Sequence, residues 1–217
     1  QSTAHDLIDA YQNVCRDCAS IDAPVLILEE DARIFNSDPA AYNEVDRFLQ
    51  TGACDVYSLG SVGPAVADGK HLKFGNTMGF SQAIVWSPSA RRQFLSMPAG
   101  DTHIDVHILS RLENKYTFNT PLIVQLFPST ENMSTWCILC DGGGLESTVV
   151  KAWIWFLQSV LRLDTDPAGW DTLYILNMHA FSIAAIFKYL FVAFIVFLAL
   201  WRRFSMIDSF SESSFLH

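Results

Sequence analysis

Three consecutive acidic residues, Glu29, Glu30 and Asp31, follow a short apolar run and are the segment best suited to chemistry. The run 25–28 is bounded by Pro24 and by this charge, which predicts a strand buried on both faces, as in parallel α/β sheets. Ligands of open α/β sheets bind at the carboxyl ends of strands. Hard cations such as Mg²⁺ or Mn²⁺ prefer oxygen ligands, so the triplet is suited to hold a cation and a diphosphate. The alternative is a solvated acidic loop.

Helices and strands are predicted to alternate around this triplet. Helical spacing and helix-start signals predict helices over 5–19, about 38–51 and 87–97. Thr102 is predicted to cap a further helical segment, HIDVHILSRLE. Apolar runs and alternation predict strands over 25–28, 55–59, 80–86 and, once or twice, within 117–127. The glycines between 60 and 69 mark a loop. The alternation predicts an α/β domain.

The segment PVLILEEDARIF resembles the Leu-Glu-Asp-Asp-Ala segment of the family 25 glycosyltransferases. This family includes bacterial lipooligosaccharide galactosyltransferases and collagen galactosyltransferases. Further similar segments follow in the family's order over roughly residues 4–136: Ala4-His5, Tyr57-Ser58-Leu59-Gly60, FSQAIV at 80–85 with Ser89-Ala90-Arg91-Arg92, His103-Ile104-Asp105 and PLIVQ at 121–125.

The resemblance implies a GT-A-like fold, which is a Rossmann-like mixed sheet flanked by helices. It also implies metal-dependent, inverting transfer of a sugar, with galactose as a candidate, from a nucleotide sugar such as a UDP-sugar to a glycan or protein hydroxyl. Glu29 and Asp31 occupy the outer positions of the family's Glu-Asp-Asp and would hold Mn²⁺ or Mg²⁺. Glu30 replaces the central Asp, and the three carboxylates together would bind the donor through the metal.

Asp105 matches the family's late Asp segment and would be the base that removes the acceptor hydroxyl proton. Its alternative role is to cap or salt-bridge its own helix. The neighbouring His107, like His5 and His103, is expected to be structural or surface-exposed. Ala4 stands where the family has Ser. In the family a nucleotide-binding strand precedes the Ser-His helix, whereas this chain begins almost at that helix, so an N-terminal truncation is expected.

The C-terminal part of the chain is predicted to cross a membrane. Residues 180–201 contain one charge, Lys188, and about 20 apolar residues suffice to span a bilayer. A lysine near the middle costs roughly 2.5–3.5 kcal/mol, which the surrounding apolar residues outweigh. A buried core helix is disfavoured because no face is polar. Arg202 and Arg203 follow the span, which predicts a cytoplasmic C-terminus and a lumenal (Golgi or endoplasmic reticulum) or extracellular N-terminal part.

These features predict four parts: a glycosyltransferase-like domain over 1–147, an amphipathic segment and linker over 148–172, a transmembrane helix over 173–203 and a short tail over 204–217. The amphipathic segment is expected to lie in the membrane interface or to cover the base of the domain. Asn132-Met133-Ser134 is a glycosylation acceptor on the predicted lumenal side. The net charge of -9 argues against a nucleic-acid partner.

Five cysteines include two Cys-x-x-Cys pairs, at 15/18 and 137/140, which invite a zinc interpretation. Cys15 and Cys18 also lie on the apolar stripe of the first predicted helix. Core packing, or a disulfide in a lumenal compartment, is therefore favoured over zinc.

Two alternatives to an active transferase stay open. One is a catalytically inactive, membrane-tethered module that binds a glycan or a partner, favoured by the altered triplet and the expected truncation. The other is a structural membrane protein with an unrelated acidic ectodomain. In that case the ordered resemblance is a coincidence.

Overall fold

A computed structural model describes residues 3–98, 104–127 and 145–213. The chain forms two compact units, of which the first ends at Asn177 and the second begins at Met178. The first unit is mixed α/β, and its helices and strands are α1 (Thr3–Asp17), β1 (Val25–Leu28), β2 (Ala32–Ile34), α2 (Pro39–Gln50), β3 (Val56–Ser58), β4 (Ala65–Asp68), β5 (His71–Phe74), β6 (Ala83–Trp86), α3 (Pro88–Ser96), β7 (Lys115–Phe118), β8 (Ile123–Gln125) and α4 (Leu145–Trp155). Shorter helical turns cover Ile104–Ile108, Leu109–Arg111 and Phe156–Val160. Helix α5 (Gly169–Ser213) begins in the first unit.

Six strands form a mixed sheet in the order β1-β6-β3-β7-β5-β4, and β2 pairs with β8 in a separate two-stranded sheet. Only β3 and β7 run parallel; the other pairs among the described strands are antiparallel. A mixed sheet flanked by helices is the coarse arrangement that the resemblance implies.

Helices cover both faces of this sheet, because neighbouring strand residues point to opposite sides. Val56 and Ile84 pack with Ile8 of α1 and Phe94 of α3 in one buried cluster. The next residues along the strands face the other way, and Tyr57 and Val85 pack there with Ala41 and Val45 of α2. The result is a layer of helices on each side of the sheet.

The predicted starts of α2 and α3 are confirmed by their caps. The Asp38 side chain accepts from the Ala40 N–H at 2.9 Å, and Ser87 accepts from the Ala90 N–H at 3.1 Å. Each helix has proline in its first turn, where the missing N–H costs nothing.

Strand β1 is confirmed, but its predicted place in a parallel sheet is wrong. It lies at the sheet edge, antiparallel to β6. Ile27 is buried at 8% exposure, whereas Leu26 and Leu28 are 43% and 54% exposed. An apolar run identifies a strand, but it does not say whether the strand is central or whether both its faces are covered.

The segment predicted as a loop also differs from the structure. Its second half contains β4, which forms a hairpin with β5 around Gly69, whose φ of +63° suits a glycine. β2 was likewise not predicted, because three residues directly after a turn give too short an alternation to detect.

One helix among the described residues is long and apolar enough to cross a membrane, and it covers Gly169–Phe197 of α5. Within it, Trp170 and Leu173 are buried in the first unit, whereas large apolar side chains farther along, such as Phe187 and Phe191, are about two-thirds exposed at 66% and 65%.

Candidate carboxylate site at the end of β1

A tight turn places Glu29 and Asp31 at the end of β1. The Glu29 N–H donates to the Gln82 carbonyl at 2.9 Å, so Glu29 still pairs with the chain before β6. The Ala32 N–H then donates back to the Glu29 carbonyl at 3.1 Å, which closes a turn around Glu30 and Asp31 before β2 begins. Glu29 and Asp31 are half-buried, and Glu30 points into solvent.

Two hydroxyl groups hold the Glu29 carboxylate. Ser81 Oγ donates to Glu29 Oε1 at 2.6 Å, and the Tyr11 hydroxyl lies 2.8 Å from the same oxygen. The Tyr11 hydroxyl is also 2.8 Å from the Ser81 carbonyl, so its single proton serves one acceptor at a time. Burial, and then the charge of Glu29, raises the pKa of Tyr11 well above its usual range, which keeps Tyr11 a donor. Both hydrogen bonds are made to Oε1, and neither of them involves Oε2.

One oxygen of the Asp31 carboxylate is held by a side chain of β8. Gln125 Nε2 donates to Asp31 Oδ2 at 2.6 Å, from the position directly opposite Ala32 in the β2–β8 pair. The other oxygen, Oδ1, is buried and has no hydrogen-bond partner among the described residues. A buried carboxylate oxygen that accepts no hydrogen bond lowers the stability of the fold unless a ligand or a cation binds it.

The charge of Asp31 acts on the Glu29 carboxylate. Burial raises the pKa of Glu29, and the charges of Asp31 and Asp105 raise it further, against the lowering effect of the Ser81 and Tyr11 bonds. Burial also raises the pKa of Asp31. Carboxylates that share a partly desolvated place repel one another, and a bound cation would relieve that repulsion.

The charge of Asp105 also acts on Glu29. It lies half-buried in the turn Ile104–Ile108 and is close enough to Glu29 for its charge to raise the Glu29 pKa. That turn packs against α1, which also carries Tyr11. Residues 99–103, including Thr102 and His103, lie outside the described part of the chain, as do the side chains of His5 and His107.

A glycine lets β8 approach the site. A Cβ on Gly60 would lie 2.0 Å from the Ile123 carbonyl oxygen, so only glycine fits after β3. The fully buried Gln82 fastens this contact by donating to the Gly60 carbonyl at 2.6 Å and to the Ile123 carbonyl at 3.2 Å. Gln125, two residues beyond Ile123, is thereby brought to Asp31.

Of the four predicted site residues, Glu29 and Asp31 lie on one turn and Asp105 is close enough to Glu29 to raise its pKa, whereas Glu30 is exposed. Within the described ranges, no three or more His, Cys, Asp or Glu residues are grouped so that they could hold a metal ion by themselves. The donor set still fits Mg²⁺ or a similar cation, which proteins often bind through one or two carboxylates together with substrate phosphates. Asp31 Oδ1, which is buried and accepts no hydrogen bond from the described residues, is the oxygen that such a cation would have to reach.

Sequence reasoning did not assign a site role to Tyr11, Ser81 or Gln125, which hold the two carboxylates. Tyr11 is part of the apolar stripe of α1, and its hydroxyl gives no signal in such a pattern. Ser81 and Gln125 are polar residues at the ends of apolar strands, which is the signal that could have identified them.

The described cysteines are free thiols. Cys15 and Cys54 are buried, Cys18 is partly exposed, and no disulfide joins them. Burial raises the pKa of both Cys15 and Cys54 to about 11. Core packing is therefore the role of Cys15; Cys137 and Cys140 lie outside the described residues.

One surface concavity among the described residues lies away from the carboxylates. It measures about 260 Å³ and contains none of the predicted site residues. Its lining residues, at the other end of β1, are Asp22, Pro24, Leu49, Gln50, Gly52, Cys54, Ser87 and Pro88.

Comparison of the chain with protein-family models, with curated proteins and with solved structures finds no match.

Proposed function

We propose that the chain is a metal-dependent, inverting glycosyltransferase of GT-A-like fold that uses a nucleotide sugar, such as a UDP-sugar, as donor. The observation that carries the proposal is that Glu29 and Asp31 lie half-buried on one turn and that no described residue donates a hydrogen bond to Asp31 Oδ1. The order of segments similar to the family 25 glycosyltransferases supports the same assignment.

In this proposal Glu29 and Asp31 hold Mn²⁺ or Mg²⁺, which would neutralise charge on the departing diphosphate. Tyr11 and Ser81 orient Glu29, and Gln125 orients Asp31, so that both carboxylates keep their positions when the donor binds.

Asp105 is proposed as the general base. The hydroxyl oxygen of a glycan or protein acceptor forms a bond to the anomeric carbon while the bond from that carbon to the diphosphate oxygen breaks. The hydroxyl proton passes to the Asp105 carboxylate, and the nucleoside diphosphate leaves with the electron pair. The charge of Asp105 raises the pKa of Glu29, and this supports Asp105 as a base beside the proposed donor site.

Helix α5 is proposed to anchor the protein in a membrane, with the first unit lumenal or extracellular and the C-terminus cytoplasmic. Its apolar stretch is long enough to span. The charges favour this orientation, because Arg202 and Arg203 follow the stretch while Asp164 and Asp166 precede α5.

The test is UDP release from UDP-galactose and other UDP-sugars by the full chain in detergent micelles with Mn²⁺. Asp31→Asn should abolish Mn²⁺-dependent turnover, because it removes the charge without changing the side-chain size. The exposed neighbour Glu30→Gln is the matched control and should keep most of the turnover. Unchanged turnover in Asp31→Asn would show that Asp31 does not hold a metal ion needed for the reaction.

A second candidate is a non-catalytic module of the same fold that binds a glycan or a partner. The observation that favours it is that Glu29 Oε1 is already bound by Tyr11 and Ser81, as in a purely structural carboxylate. Such a module predicts no Mn²⁺-dependent turnover in the wild type and no Mn²⁺-dependent UDP binding.

A further inference from the structure

We propose that the outer edge of β1 is a dimerisation surface, on which β1 of a second copy of this chain pairs as an antiparallel strand. β1 ends the six-stranded sheet and pairs with β6 alone among the described strands. Its Leu26 and Leu28 side chains are 43% and 54% exposed. This surface is independent of the proposed transferase activity.

The hydrogen bonds to β6 show which main-chain groups of β1 are open. The Glu29 N–H donates to the Gln82 carbonyl, which continues the antiparallel register of the two strands. Residues that bond the neighbouring strand alternate along an antiparallel strand, so Leu26 and Leu28 direct their N–H and carbonyl groups away from β6. No described residue makes a hydrogen bond with these four groups.

These open groups fit another strand. Two donors and two acceptors in a row along an extended edge match the main chain of a second extended segment. Residues 25–28 also contain no charge and no proline, which are features that protect sheet edges from pairing in other proteins. At the opposite edge of the sheet, β4 carries the exposed, charged Asp68. The edge of β1 is therefore the one that favours strand addition.

A second copy of β1 is the complementary strand, and one register satisfies all the open groups. With Leu26 opposite Leu28 of the second copy, a two-fold axis passes by Ile27, and both N–H groups and both carbonyls of each copy are paired. A shift in one direction puts the Leu28 carbonyl opposite Pro24, which has no N–H. A shift in the other direction needs Glu30, which lies in the turn after the strand.

The same register suits the side chains. Leu26 and Leu28 lie on one face of the sheet, so each would cover the other across the two-fold axis. The acidic residues 29–31 of each copy would lie opposite residues 23–25 of the other, which are uncharged. Carboxylates of the two copies therefore do not face each other, as they would if like charges were directly opposed.

Analytical ultracentrifugation of the full chain in detergent micelles, over a range of protein concentrations, tests the proposal. The wild type should pass from monomer to dimer as its concentration rises. Leu28→Lys should stay monomeric over the same range, because its charge would face Leu26 of the second copy. Val66→Lys is the matched control, since Val66 is 67% exposed on β4 at the other edge of the sheet, and it should dimerise as the wild type does. Circular dichroism should show the same secondary structure in all three proteins.

Hydrogen–deuterium exchange of the wild type gives a second measurement that needs no substitution. The N–H groups of Leu26 and Leu28 should exchange more slowly as the protein concentration rises, because dimerisation gives them acceptors. The proposal is overturned if the wild type stays monomeric, or if these two groups exchange at the same rate at all concentrations. It is also overturned if Leu28→Lys dimerises as the wild type does, which indicates a contact elsewhere such as α5, or if Val66→Lys weakens dimerisation equally.

Discussion

The indole of Trp170 donates a hydrogen bond to the main-chain oxygen of Gln125 at 2.7 Å. This bond ties the first turn of α5 to the residue whose side chain holds Asp31. Two further contacts extend the link, from the Tyr174 hydroxyl to the Phe118 carbonyl at 3.0 Å and from the Leu126 N–H to the Asp31 carbonyl at 3.2 Å. The beginning of the membrane-type helix is thus part of the structure that positions the candidate site.

Trp170→Phe should destabilise the first unit by roughly 1 kcal/mol, because the part-buried Gln125 carbonyl loses this donor. Chemical unfolding of the full chain in detergent micelles measures this loss. Trp155→Phe makes the same chemical change at a 61% exposed position and should leave the free energy of unfolding nearly unchanged. Equal effects of the two substitutions would mean that the bond to Gln125 contributes nothing.

Gln125→Leu should weaken Mn²⁺ binding or turnover roughly 10- to 100-fold, as is usual when a group that orients a metal ligand is removed. The reason is that Asp31 Oδ2 loses its donor and the carboxylate is free to rotate. Mn²⁺ titration monitored by electron paramagnetic resonance measures the affinity. Gln93→Leu, on the exposed side of α3, is the matched control and should bind as the wild type does. Wild-type affinity in Gln125→Leu would show that Asp31 needs no positioning.

The pH dependence of stability tests the burial of the carboxylates. Burial raises the pKa of Glu29 above its ordinary value of 4.5 and that of Asp31 above 3.8. For an acid with a raised folded-state pKa, the stability that it contributes is full below the unfolded-state pKa. That contribution is lost as pH rises through the folded-state pKa. At neutral pH the two ionised groups therefore reduce stability.

Glu29→Gln and Asp31→Asn should accordingly become more stable relative to the wild type as the pH is raised from about 4 to about 8. Thermal unfolding of the metal-free full chain at a series of pH values measures the trend. Glu30→Gln, in which the changed side chain is exposed, should show no such trend. If the stability difference between each of the three variants and the wild type does not change with pH, the segment is a solvated acidic loop.

Alkylation of the native protein should distinguish the described cysteines. Cys15 and Cys54 are buried and have a pKa raised to about 11, so little reactive thiolate forms at neutral pH. Cys18 is partly exposed and should react with iodoacetamide well before them, as followed by mass spectrometry of peptides. Alkylation of Cys15 as fast as Cys18 would contradict its place in the core.

Local sequence signals predict the helices and strands that nearby residues determine. The caps of α2 and α3, the apolar stripe of α1 and the strands β1, β3, β6 and β8 all follow from nearby residues. The site was predictable only in part, because Glu29 and Asp31 adjoin a recognisable strand, whereas their partners come from distant positions. Tyr11 and Gln125 are 18 and 94 residues away from the carboxylates that they hold, and no periodicity encodes such a contact.

The edge position of β1 also could not be predicted from local sequence signals. Its four apolar residues resemble a central strand, yet Leu28 is 54% exposed because only one neighbour, β6, pairs with it among the described strands. Sheet order depends on how distant segments pair, and the parallel contact of β3 with β7 joins residues nearly sixty positions apart, such as Val56 and Lys115.

The most direct test of the central claim is calorimetric titration of the full chain with UDP in the presence and absence of Mn²⁺. We expect UDP to bind only with Mn²⁺, Asp31→Asn to lose that binding, and Glu30→Gln to keep it. Absence of Mn²⁺-dependent binding in the wild type, or its persistence in Asp31→Asn, would contradict a metal and diphosphate site at Glu29 and Asp31.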